Sequence, residues 1–148
     1  MERCYGTRLP HWRIDDGGAV YFVTWRLAVG QPSLAPAERD LVAGALAYWD
    51  PRGCKLLAWV VMNDHVHVIA SPVPGVRLET LLHSWKSYTA TRMVRGHGRA
   101  GPVWQRGYHD RLVRNEDEFR KFGTYVARNP WNRWPELPSY RWVWPQPF

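Results

Sequence analysis

Two histidines, His65 and His67, stand two residues apart in the segment MNDHVHVI. The segment alternates in polarity like a strand, and residues two apart on a strand share a face. Two imidazoles so placed can bind one cation through their ring nitrogens. The same pattern suits histidines on a solvated sheet face, so the pair alone is a weak motif. Tyr125 is the second candidate, with Asn129 one helical turn later. Phe119, Phe122 and Val126 mark the buried stripe of that helix, which places Tyr125 and Asn129 on its flank. A phenol there can act as a nucleophile beside the sheet, and an amide oxygen can add a third metal ligand. Packing at the core margin and helix-end capping are the ordinary roles of the same residues. The third candidate is the segment VWQRGYHDRLVR, which gathers Trp104, Gln105, Arg106, Arg111 and Arg114. An indole can stack on an unpaired base while guanidiniums grip phosphates. A loop pinned by its tryptophan, with solvated arginines, is the competing picture.

These residues need elements to position them. Residues 19–27, AVYFVTWRL, are rich in β-branched and aromatic side chains and read as a strand. Pro36 suits the first turn of a helix, and Leu41, Val42, Ala45, Leu46 and Trp49 follow at helical spacing until Asp50-Pro51. Residues 54–62 and 65–70 form two strands around the turn signal Asn63-Asp64. Leu78, Leu81, Leu82, Trp85 and Tyr88 predict the apolar face of a second helix. A short strand at 110–114 precedes Asn115, an N-cap with Glu118 placed for a capping box. The third helix is expected to stop near Arg128, because Pro130 disfavours helical geometry at Asn129. Residues 131–148, rich in Trp and Pro, read as an irregular tail packed on the body. The order β-α-β-β-α-β plus one helix defines an α+β fold. It is a ferredoxin-like split β-α-β antiparallel sheet with helices on one face and an added C-terminal helix carrying the tyrosine.

With 148 residues the chain fits a single domain, flanked by an N-terminal segment 1–16 and the tail. No apolar run has the length of a membrane helix, and the N-terminus lacks the apolar core of a signal peptide, so a cytoplasmic protein is expected. Cys4 and Cys54 form no CxxC pair, which argues against a zinc knuckle or disulfide scaffold, and Cys54 is expected reduced at the core edge. A formal charge of +7, arginine in excess over lysine and 10 tryptophans suit a nucleic-acid partner, above all an unpaired strand. The second helix offers Arg77, Lys86, Arg92 and Arg95, and the following loop Arg99, as phosphate contacts or as a merely solvated face.

MNDHVHVI, the basic helix and VWQRGYHDRLVRNEDEFRKFGTYVARNP together resemble the REP-associated tyrosine transposases of the HUH single-tyrosine superfamily. The resemblance runs from the first strand to Asn129-Pro130 and leaves the tail unmatched. It implies that Tyr125 is the nucleophile, and that His65 and His67 hold a divalent metal with Asn129 in the third position, where insertion-sequence relatives usually carry glutamine. It further implies cleavage and strand transfer of hairpin-bearing single-stranded DNA through a 5′-phosphotyrosine. Mg2+ or Mn2+ is the implied metal, with Mn2+ the tighter because histidine nitrogen suits it better. A bacterial, nucleoid-associated protein is implied, acting as a monomer rather than a homodimer, with residues 3–13 touching the flank of the hairpin. Three other classes compete: a non-catalytic nucleic-acid-binding domain derived from a transposase, a relaxase of the same superfamily, and a metal-dependent hydrolase that activates water.

Overall fold

The computed structural model describes residues 18–146. The expected N-terminal contact with DNA, and Cys4, lie outside these residues.

Strands β1 (Val20–Arg26), β2 (Cys54–Val61), β3 (His65–Pro72), β4 (His109–Val113) and β5 (Val143–Trp144) form one sheet in the order β4-β1-β3-β2-β5. Every pairing is antiparallel. Helices α1 (Pro36–Tyr48) and α2 (Leu78–Gly96) pack on one face, where Val23 and Trp25 of β1 and Val66, Val68 and Ala70 of β3 meet Val42, Leu46, Leu81 and Trp85. Helix α3 (Glu116–Arg133) covers the other, where Val20, Ile69 and Val113 meet Phe119, Phe122 and Val126. The fold is the one expected, and the added helix supplies the second layer.

Period-two alternation therefore sorts β3 cleanly: Val66, Val68 and Ala70 face α1 and α2, while His67 and Ile69 face α3. In β2 the register slips between Leu56 and Ala58, a bulge that lets Leu57 and Ala58 both join the α3-side core.

Three local expectations need correction. Helix α3 does not stop near Arg128; Pro130 lies inside it, and the helix closes with the Trp134 N–H donating to the Pro130 carbonyl. Proline forfeits one hydrogen bond in mid-helix. Burial of Pro130, and of much of Trp131, against the α3-side core offsets that loss. On α2 the buried stripe is Leu81, Leu82, Trp85, Thr89 and Met93, and Tyr88 is 47% exposed. Thr89 can take a core position because its hydroxyl donates to the Trp85 carbonyl and accepts from Trp104 Nε1. The capping box is half-formed: Asn115 Oδ1 accepts from the Glu118 N–H, but Glu118 Oε1 accepts from Arg114 instead of closing the box.

The tail is packed on the body as expected, but it is not wholly irregular. Val143 and Trp144 pair with Val60 and Trp59, and the Tyr140 hydroxyl donates to the Val61 carbonyl at 2.6 Å. This covers the outer edge of β2, which would otherwise present unpaired backbone groups.

Candidate active site

The histidine pair sits at the start of β3, on the face that α3 covers. The His65 and His67 rings have centroids 4.7 Å apart. His67 is 4% exposed, so the pair does not lie on a solvated face. Its Nδ1 lies 2.7 Å from Thr24 Oγ1 on β1, while its Nε2 is buried without a partner. Nδ1 of His65 lies 2.7 Å from Asp64 Oδ1. A carboxylate only accepts, so this Nδ1 carries a proton and Nε2 is the nitrogen that faces away from Asp64. Burial drives the pKa of His67 down to about 3, with the neighbouring His65 and the Arg26 charge acting in the same direction. His67 is thus neutral at physiological pH, the form in which imidazole ligates a metal.

These features fit a divalent ion. One nitrogen of each ring is tied to an oxygen partner that orients it, the outer-shell arrangement of metal-bound histidines. A buried Nε2 on His67 with no partner among the described residues is costly, and a metal ion bound there would relieve that cost. Among the described residues no cluster of three or more His, Cys, Asp or Glu side chains forms. An ion at the pair would therefore draw further ligands from amide, phosphate or water oxygens.

Tyr125 comes to this pair from α3. Its ring centroid is 5.2 Å from that of His67 and 6.1 Å from that of Phe22, and 46% of the residue is exposed. Phe22 stacks on Phe122 at 5.0 Å, which fixes the rotation of α3 over the sheet. A phenol beside the histidines yet open to solvent can meet a large substrate. Asn129, one turn further on, is buried. Because α3 continues to Arg133, Asn129 is not a helix cap, which removes its ordinary role.

The proposed DNA contacts divide sharply. Arg99 is buried, and all five of its donor groups are used: two toward Glu38 at 2.7 Å, the others toward Gln31, Pro32 and Ser33. Trp104 is a core residue whose indole N–H donates to Thr89. Lys86 donates to the Gln105 and Gly107 carbonyls, and Gln105 donates to Leu27. Arg99 and Trp104 are committed to the fold, Lys86 largely so, while the exposed Gln105 keeps its amide oxygen and one N–H free. Arg92, Arg95, Arg106, Arg111 and Arg114 are exposed. Arg111 pairs in register with Phe22, so it stands on the tyrosine face, with its guanidinium 5.1 Å from the Phe122 ring.

Sequence reading took residues 19–27 as a strand without singling out any of its side chains, and missed Thr24, Arg26 and the partner role of Asp64. Alternation along FVTWR carried the signal: Phe22, Thr24 and Arg26 share one face, opposite buried Val23 and Trp25. Cys54 is fully buried, deeper than the core edge, and burial with the nearby Asp50 pushes its thiol up to about 12, so it takes no part in this chemistry. No helix among the described residues is long and apolar enough to cross a membrane.

The chain is thus an α+β domain whose antiparallel sheet carries paired histidines under a tyrosine-bearing helix. The chain belongs to the IS200-like transposases: the family model "Transposase IS200 like" matches residues 41–129. Its fold is that of a REP-associated tyrosine transposase solved bound to a REP hairpin, with a TM-score of 0.69 at 18% identity over 90% of this chain and 81% of that one. A putative transposase from Deinococcus radiodurans gives 0.55 at 19% identity over 79% and 93%. No curated protein matches the chain.

Proposed function

We propose that the protein cleaves and rejoins single-stranded DNA through a covalent link to Tyr125, on substrates bearing a hairpin. The observation that carries this reading is the half-exposed Tyr125 ring 5.2 Å from His67, whose buried Nε2 has no partner. His65, His67 and Asn129 would hold Mg2+ or Mn2+. Such an ion, when bound, offsets the phosphodiester charge that repels nucleophiles. Tyr125 Oη attacks phosphorus, the P–O3′ bond breaks, and the strand remains as a 5′-phosphotyrosine beside a free 3′-OH. The retained bond energy permits rejoining to another 3′ end. Membership of the transposase family and the hairpin bound by its structural relative support the substrate class. Exposed Arg92, Arg95, Arg106, Arg111 and Arg114 would track the backbone.

The test is incubation of the protein with a pool of hairpin-bearing single strands and Mn2+. A denaturation-resistant protein–DNA band is expected in the wild type and none in Tyr125→Phe, with melting temperature unchanged because the ring is half exposed. A wild type that forms no band on any strand contradicts the proposal.

A further inference from the structure

Along the face that carries Tyr125, Arg26 is the cation that the sheet itself places beside the histidine pair. Arg26 ends β1 and pairs in register with His65, one step beyond the Thr24–His67 pair. Alternation puts its side chain on the histidine face, opposite buried Trp25. It is exposed, and among the described residues its guanidinium forms no hydrogen bond or ion pair. On β4 and the turn before α3 the arginines are engaged: Arg114 with Glu118 at 3.0 Å, and Arg111 over Phe122 with Glu118 at 3.9 Å.

Once a cation is bound at the two imidazoles, an unpaired guanidinium beside them is electrostatically unfavourable, because like charges repel at short range. The arrangement becomes favourable when an anion lies between them. A phosphodiester supplies such an anion, and guanidinium is the side chain best matched to its oxygens.

We infer that Arg26 is a further catalytic residue, gripping a non-bridging oxygen of the scissile phosphate while Tyr125 attacks. This rests on the tyrosine reading above. In the step, the Tyr125 Oη–P bond forms and the P–O3′ bond breaks, its electron pair going to O3′. The phenolic proton passes to solvent, and O3′ takes one up from solvent. Arg26 offsets the negative charge that accumulates on the equatorial oxygens. No proton transfer is required of it.

The test compares Arg26→Gln and Arg26→Lys with wild type in adduct formation, once the cleaved linkage has been mapped. Arg26→Gln is expected to slow adduct formation about 100-fold, the loss typical of one removed charge-stabilising donor. Arg26→Lys should recover part of it. Replacing the cleaved linkage by a methylphosphonate removes the charge that Arg26 answers, so the difference between wild type and Arg26→Gln should shrink to within about threefold. Binding of Mn2+ without DNA, read by electron paramagnetic resonance, should be equal or tighter in Arg26→Gln, because a repelling charge is gone. A variant as fast as wild type, or one whose loss persists on the methylphosphonate, overturns the role of Arg26 while leaving Tyr125 standing. Absence of any adduct in the wild type removes both.

Discussion

On the side of the sheet covered by α1 and α2, buried charge is closed off. Arg99 and Glu38 bury their side chains to 5% exposure each, and every guanidinium donor finds an acceptor. On the side covered by α3, polar groups are left open. Among the described residues His67 Nε2 is buried without a partner and Arg26 forms no ion pair, and Tyr125 stands half exposed. Buried polar groups are normally satisfied, so an arrangement that leaves them open calls for an explanation. The first face ties its buried charges into a satisfied pair and leaves only the indole N–H groups of Trp25 and Trp85 without acceptors among the described residues; the second leaves open an imidazole and a guanidinium, groups able to meet a ligand and a substrate.

Breaking the closed side should have the largest effect on stability and little on chemistry. Arg99→Ala leaves Glu38 buried without its partner and is expected to cost about 3–5 kcal/mol in chemical denaturation. DNA affinity per folded molecule should not fall; a specific loss of DNA binding at preserved stability would restore Arg99 to the DNA interface. The pair also sets an acid limit. The Arg99 hydrogen bond holds the Glu38 carboxyl below its ordinary value of 4.5, against the opposing effect of burial. Its stabilisation is therefore complete above the unfolded carboxyl pKa and is lost as pH falls through the lower folded value. The wild type should lose stability faster than Glu38→Gln in that acidic window, and parallel curves would show that the pair is not the source.

Breaking the open side should do the reverse. Thr24→Val removes the oxygen beside His67 Nδ1 while nearly preserving side-chain shape. Outer-shell partners of metal-bound histidines typically contribute 10–100-fold to affinity. Mn2+ binding, titrated by electron paramagnetic resonance, should weaken by about that factor in Thr24→Val and recover in Thr24→Ser. An affinity unchanged in Thr24→Val would mean that the hydroxyl only fills space.

What the sequence made legible was whatever local periodicity encodes. Alternation placed His65 and His67 on one face, and helical spacing set Tyr125 on the flank of α3, because both depend on residues within one or two turns. The fates of Arg99, Lys86 and Trp104 depend on distant partners. The Arg99–Glu38 contact spans 61 residues, and nothing within the loop itself distinguishes a buried arginine from a solvated one. Pro130 misled for a related reason: its local cost is real, but tertiary burial of the helix end decided the outcome. Strand β5, of two residues, is too short to show a period at all.

That edge strand supplies the smallest of the expected effects, and it asks whether the open face depends on the tail. The Tyr140 hydroxyl donates to Val61 at 2.6 Å, beside the β5 pairing with β2 and two strands from β1. Burial raises its pKa, so the hydroxyl keeps its proton and its donor role across the physiological range. Tyr140→Phe removes one hydrogen bond and should cost about 1 kcal/mol, read as a modest drop in denaturation midpoint. The histidine pair is held from the other side, by Thr24 of β1, so Mn2+ affinity and adduct rate should not change. If either fell together with stability, the tail would be supporting the site through β2 and β3, and the open face would extend across the sheet to its far edge.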